Sequence, residues 1–393
     1  MKLSELLEPW ADVILEQVPD VELFDAHTHI GRNDPDGMRQ SPEELLTLLE
    51  LAHARGAFVF PMHEPDGYPP ANDEVMEVAR GSGGMLIPFC RLDPHEDPVA
   101  EAERCLDAGA RGIKLHPRAE QFTLDHPGVR AVVALASERR LPVLIHAGRG
   151  IPALGLHAVE LAEAFPGARL ILAHAAVSDL SWIWRVAPDH PNLFFDSAWW
   201  IPADMQTLFS LVPPGQILFA SDAPYGATGF SAAFQLRTAL QVGLSPEQIR
   251  SVASEQALRI AEGEPPQPCG PAVGEQDRAS HSLLDRVAQY LMLASIASMR
   301  GADPTELVAL GRLACDVPED IDDGPVFSAV RWLLDRFDQY SADYPEDRRR
   351  LTFLILACTA ARTPDVPLPA LPDIGDERVT PDFAPKSAAT PSA

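Results

Sequence analysis

The chain has 393 residues, 46% of them hydrophobic and 22% charged, a composition that builds a packed core and excludes collagen-like, coiled-coil and wholly disordered chains. Lys and Arg number 31 against 57 Asp and Glu, a net charge of −26. A field of that sign repels phosphate backbones and anionic lipid, so neither a nucleic acid nor a membrane is expected as partner.

At roughly 100–200 residues per domain the length accommodates about two domains. Residues 1–18 read as an amphipathic helix, with Leu3, Leu6, Leu7, Trp10, Val13, Ile14 and Val18 near helical spacing. This acidic start lacks the basic and apolar segments of a signal peptide. Eight short apolar runs follow, at 21–27, 57–62, 86–92, 112–116, 143–146, 170–174, 193–196 and 217–221. Helical patterns lie between most of them, at 41–55, 98–108, 127–139, 156–165, 179–186, 202–211 and 231–242. The first opens SPEE, with Ser41 as N-cap, Pro42 at the first helical position and Glu44 completing a capping box. Continuously apolar strands alternating with helices predict a parallel sheet covered on both faces. Eight units in about 250 residues fit a closed (β/α)8 TIM barrel.

A proline-rich linker closes the barrel domain, 1–264, at residues 265–276. Residues 277–363 carry helical patterns at 280–299, 304–315, 325–340 and 346–361 and read as a small all-α domain. Residues 364–393, rich in proline and small polar residues, read as a disordered tail. Cys90, Cys105, Cys269, Cys315 and Cys358 form no C-x-x-C pair, which fits reduced thiols in a cytoplasmic protein. No run of 18 apolar residues occurs.

The chemistry lies in the polar residues at the strand ends. In such a barrel catalytic groups come from the carboxyl ends of strands. FDAHTHIG places His27 and His29 two apart at the end of run one, where an extended chain turns both imidazoles to one face. GIKLHPR carries Lys114 and His116, LIHAG carries His146, LILAHA carries His174, and LFASDAP carries Asp222. Buried polar groups gathered there need partners, and a divalent cation satisfies them together. Imidazole nitrogens with one carboxylate suit Zn²⁺ and tolerate Fe²⁺, Mn²⁺ or Co²⁺. A lone His-x-His is more often a surface or hydrogen-bonded pair; the ordered set is what points to a metal. His63, Glu64, Arg91, Arg118, Arg149, Trp199, Trp200 and Tyr225 follow other runs on the same rim, and Asp25 stands ready to orient a ligand histidine or to cap the strand end. An arginine fork can grip a substrate carboxylate.

These segments, over about residues 20–262, resemble the amidohydrolase superfamily of metal-dependent barrel enzymes, in particular the branch of aminocarboxymuconate semialdehyde decarboxylase. The resemblance implies that His27, His29 and His146 bind the metal, with Asp222 as a weaker ligand that also takes a proton from metal-activated water. His174 is then a second metal ligand or an acid/base. It implies one divalent metal, Zn²⁺ foremost, or two if Lys114 is carboxylated; otherwise Lys114 binds a substrate carboxylate or pairs with an acid. His116, Arg118, Arg149 and Trp199 are the substrate-binding candidates. The expected reaction is hydrolysis of a C–N or C–O bond in a small carboxylate-bearing or cyclic substrate. The alternatives are non-oxidative decarboxylation of an unsaturated or aromatic acid, or a non-catalytic barrel with a helical interaction domain. Homo-oligomerisation stays open.

Overall fold

The computed structural model describes residues 1–35, 37–274, 281–318, 320–372 and 377–383. Eight parallel strands, β1 (Leu23–Ile30), β2 (Ala54–Pro61), β3 (Leu86–Arg91), β4 (Gly112–Leu115), β5 (Pro142–Ile145), β6 (Arg169–Leu172), β7 (Leu193–Asp196) and β8 (Ile217–Leu218), pair in sequence order. Between β8 and β1 the Ala26 N–H donates to the Phe219 carbonyl at 2.9 Å and the His29 N–H to that of Ala223 at 2.8 Å, so the TIM barrel is nearly closed. β8 is shorter than its apolar run because the chain turns away to carry Asp222.

Helices fill the gaps as the proline starts predict. The Ser41 hydroxyl accepts from the Glu44 N–H and the Glu44 carboxylate from the Ser41 N–H, so the capping box forms. Helix Pro69–Gly81 has no counterpart among the predicted ones, nor has the short helix Pro246–Arg250. The first buries Val75, Met76 and Ala79 on one stripe behind a Pro-Pro start. The pattern at 179–186 yields only the short helix Leu180–Ile183.

The barrel interior has two storeys. Phe24, Phe58, Phe89, Leu144, Ile171, Phe194 and Leu218 fill the lower one, each contributing about 1.5–3 kcal/mol by burial. Polar side chains fill the upper one. The change of storey in β1 comes from a bulge: Asp25 pairs with Ala57 and Thr28 with Val59, three residues of β1 against two of β2. That extra residue returns Thr28 to the outer face and sets His27 and His29 toward the interior, within the strand rather than beyond its end.

The C-terminal region is helical, built from Ser282–Met299, Thr305–Ala314, Gly324–Asp343 and Leu351–Arg362. Its core takes in Leu3, Leu6, Leu7 and Trp10 of the N-terminal helix Leu3–Gln17, while Ile14 of that helix joins the core outside the barrel. Within the stretch read as a tail, residues 364–372 and 377–383 lie against this layer: Val366 and Val379 are buried, and Thr380 exchanges backbone hydrogen bonds of 3.0 Å with Leu3 and Met1. The rest of that stretch lies outside the described residues, as do residues 275–280 at the junction of the expected linker and helical domain. No described helix is long and apolar enough to cross a membrane.

Candidate metal centre

His27 and His29 project from the bulged end of β1, Lys114 from β4, and Asp222 and His174 from the turns after β8 and β6. Asp222 and His174 both hold left-handed backbone, φ 60° and 56°. Such geometry costs a non-glycine residue of the order of 1–3 kcal/mol and persists only where the surroundings enforce it. Here it turns both side chains inward.

Hydrogen bonds at the outer nitrogens fix the tautomers. His27 Nδ1 lies 2.7 Å from Asp196 Oδ2, His174 Nδ1 lies 2.8 Å from the Ala198 carbonyl, and His29 Nδ1 lies 3.5 Å from the Pro61 carbonyl. Each outer nitrogen carries the proton that its acceptor takes, which leaves a bare Nε2 pointing inward. His27 Nε2 lies 3.2 Å from His29 Nε2, and Asp222 Oδ1 lies 3.1 Å from both. These are acceptors facing acceptors. Lys114 Nζ, 3.3 Å from His27 Nε2, supplies one donor and leaves His29 opposed to Asp222.

A divalent cation resolves that opposition. Ligand-capable atoms of His27, His174 and Asp222 lie within 4.8 Å of one another, and a set of imidazole nitrogens with one carboxylate oxygen is the chemistry of a Zn²⁺ site. The residues therefore fit a metal ion. His146 reaches the group through His174, its Nδ1 2.9 Å from His174 Nε2, and its ring stacks on His116 at 3.9 Å.

Burial dominates the electrostatics. It drives the imidazoles of His27, His29, His116 and His146 well below their ordinary value, assisted by neighbouring cationic groups, and lowers His174 too. It pushes Asp222 up to about 6 and Asp196 up to about 7. It brings the Lys114 ammonium down to about 7. A neutral amine there is the form that reacts with CO2 to give a carbamate.

Asp196 carries a role not predicted from the sequence. Its Oδ2 accepts from His27, and its Oδ1 accepts from the backbone N–H groups of His174 at 2.8 Å and Ala198 at 3.0 Å. One carboxylate thus orients one ligand and pins the turn that holds another. The signal was present: Asp196 is the single polar residue of β7, LFFD, and ends it. Asp25 accepts from the N–H groups of Ser221 at 2.9 Å and His27 at 3.2 Å, and so fastens β1 to the segment bearing Asp222.

The remaining candidates spread around the mouth. Trp199 sits 6.2 Å from His174, and its Nε1 donates to Asp204. Tyr225 lies edge-on to His29 at 5.9 Å and bonds Asp34 through its hydroxyl. Arg118 borders an open cleft of about 430 Å³ with His95, Phe122, His126 and Ile151. Arg149 is exposed. Arg91 is buried and bonded to Glu120 at 2.8 Å and to the Pro61 carbonyl at 3.3 Å, a structural pairing rather than a free fork.

A family model described as amidohydrolase matches residues 24–260, and the chain belongs to that family. Among solved structures, an amidohydrolase II shares 20% identity over 61% of this chain and 100% of its own, with a TM-score of 0.49. An uncharacterised TIM-barrel protein from Bordetella bronchiseptica shares 15% over 62% and 99%, with a TM-score of 0.51. A 2,6-dihydroxybenzoate decarboxylase from Rhizobium shares 14% over 62% and 98%, with a TM-score of 0.48. A comparison with curated proteins finds no match.

Proposed function

We propose that this chain is a metal-dependent hydrolase that adds water across a C–N or C–O bond of a small, carboxylate-bearing or cyclic substrate. The observation that carries the reading is the inward opposition of His27 Nε2, His29 Nε2 and Asp222 Oδ1 at 3.1–3.2 Å. One divalent ion per chain, Zn²⁺ by donor chemistry, would be held by His27, His29 and Asp222, with His174 and His146 as the further imidazoles. Such an ion supplies Lewis acidity and acidifies water from about 15.7 toward 7.

The chain's own groups handle the protons and the substrate. Asp222 Oδ1 takes the proton of the attacking water and returns it to the leaving nitrogen or oxygen. His174, hydrogen-bonded to His146, is the second group able to move a proton at this site. His116 and Trp199 would line the substrate, and Arg118 or Arg149 would grip a carboxylate at the rim. A carboxylated Lys114 would convert the site to two ions, a form supported by the position of its Nζ beside His27.

Metal content per purified chain tests the centre. One ion whose removal lowers thermal stability is the expected result; a metal-free protein indifferent to chelation overturns it and leaves a scaffold. A substrate panel following acid release against CO2 release then separates hydrolysis from decarboxylation. Intact ¹³CO2-labelled protein should show a carbamate carbon by NMR only in the two-ion form.

A further inference from the structure

The family match stops at residue 260, and the helical region beyond it has no assigned role. The barrel helix Thr228–Val242 joins the two. On one face Thr228 Oγ1 donates to Asp25 Oδ2 at 2.7 Å. On the same face, two turns on, Gln235 Nε2 donates to the Ala220 carbonyl at 2.8 Å and its Oε1 accepts from the Ser197 hydroxyl. Ser197 follows Asp196, and Ala220 and Ser221 precede Asp222. The helix therefore touches each segment that aims His27 and Asp222.

The opposite face, half a turn round at 3.6 residues per turn, carries Arg237 and Gln241. Arg237 is 1% exposed. Its Nε donates to Thr363 Oγ1 at 2.6 Å, Nη1 to the Pro367 carbonyl at 2.6 Å, and Nη2 to the carbonyls of Thr363 at 3.1 Å and Val366 at 2.7 Å. The guanidinium also stacks over Trp10 at 5.5 Å. Gln241 and Asp365 exchange two further bonds of 2.7 and 3.1 Å. No carboxylate contacts the guanidinium among the described residues; its acceptors are the Thr363 hydroxyl and three carbonyls just past helix Leu351–Arg362, near the negative end of that helix's dipole. A buried charge held by four directed bonds fixes position more strictly than apolar packing, because any shift strands a donor.

We infer that the segment 363–367 positions the metal centre: it clamps Arg237, and helix Thr228–Val242 transmits that constraint to Asp25, Ser197 and the turn bearing Asp222. Arg237 is a positioning residue, and the C-terminal helical region is a working part of the barrel's site. This rests on the metal-centre reading above.

The test is zinc affinity of the full chain, by competition with a chromophoric chelator, together with the apo melting temperature. Arg237→Met and the milder Thr363→Ala, which removes one acceptor, should weaken zinc binding, by about ten-fold or more for Arg237→Met, the size seen when a partner of a ligand is lost. Arg237→Lys should recover part of it. Thr228→Val, at the other end, should act in the same direction. Leu333→Ala, buried in the helical core on helix Gly324–Asp343 and making none of the polar bonds of the clamp, should lower the melting temperature without changing zinc affinity. If Arg237→Met does not fold, Thr363→Ala and Thr228→Val decide. Wild-type affinity in both, or an equal loss in Leu333→Ala, overturns the clamp. A wild-type chain that takes up no divalent metal overturns the centre itself.

Discussion

At the carboxyl end of the barrel, His27, His29 and Asp222 turn acceptors toward one another. In the helical region Ser295, Thr359 and Thr363 each donate a hydroxyl proton to a carbonyl one turn back, at 2.7–2.9 Å. Both places bury polar atoms. These three hydroxyls find their acceptors one turn back, whereas the barrel group faces acceptor with acceptor, an opposition that a bound cation would satisfy. The contrast locates chemistry in the mouth and rigidity in the helices, and it sets out which substitutions should act where.

The largest effect belongs to a ligand atom. His27→Ala or Asp222→Ala should empty the site in a metal determination per chain and lower turnover by about 10²–10⁴-fold, with helical content by circular dichroism unchanged. Next, Leu333→Ala should cost about 2–5 kcal/mol in urea unfolding and leave metal content intact; metal loss there would erase the division. Asp196→Asn sharpens the division from the barrel side. It keeps the shape, removes the charge that holds His27, and should weaken metal binding by about 10–100-fold, read by chelator competition.

The smallest effect is a pH dependence confined to the helices. Burial pushes the Asp347 carboxyl up, but bonds from the Arg349 side chain and backbone, and from Tyr340, hold it below its ordinary 3.8. The unfolded chain takes up that proton at a higher pH than the folded one. The contribution is therefore whole above pH 3.8 and lost as pH falls through the lower folded value. The stability gap between wild type and Asp347→Asn, followed by urea unfolding, should close with acidification below that point. A gap that persists removes the charge as its cause.

Much of this was legible in the sequence for physical reasons. Proline starts and the Ser41 box act locally, so the helices lie close to where they were expected. The eight apolar runs mark strands because both faces of a parallel sheet are buried. His27, His29, Lys114, His174 and Asp222 were recognisable as polar residues closing apolar runs. Helix Pro69–Gly81 was missed although Val75, Met76 and Ala79 mark its face. Asp196 was missed because its part depends on His27, 169 residues away. The membership of Leu3, Leu6, Leu7 and Trp10 in the helical core was hidden for the same reason: an amphipathic stripe announces burial and not the partner.

The bulge in β1 has a consequence for how such a centre is gained or lost. Regular alternation of every residue from Asp25 onward would aim both imidazoles at the surrounding helices, and Ala26 is the residue that the bulge absorbs. Loss of Ala26 by one codon would let β1 pair regularly with His27 in its place, so both imidazoles would still face inward. The pair is thus buffered against loss of the extra residue and exposed instead to any change that straightens the strand while keeping it.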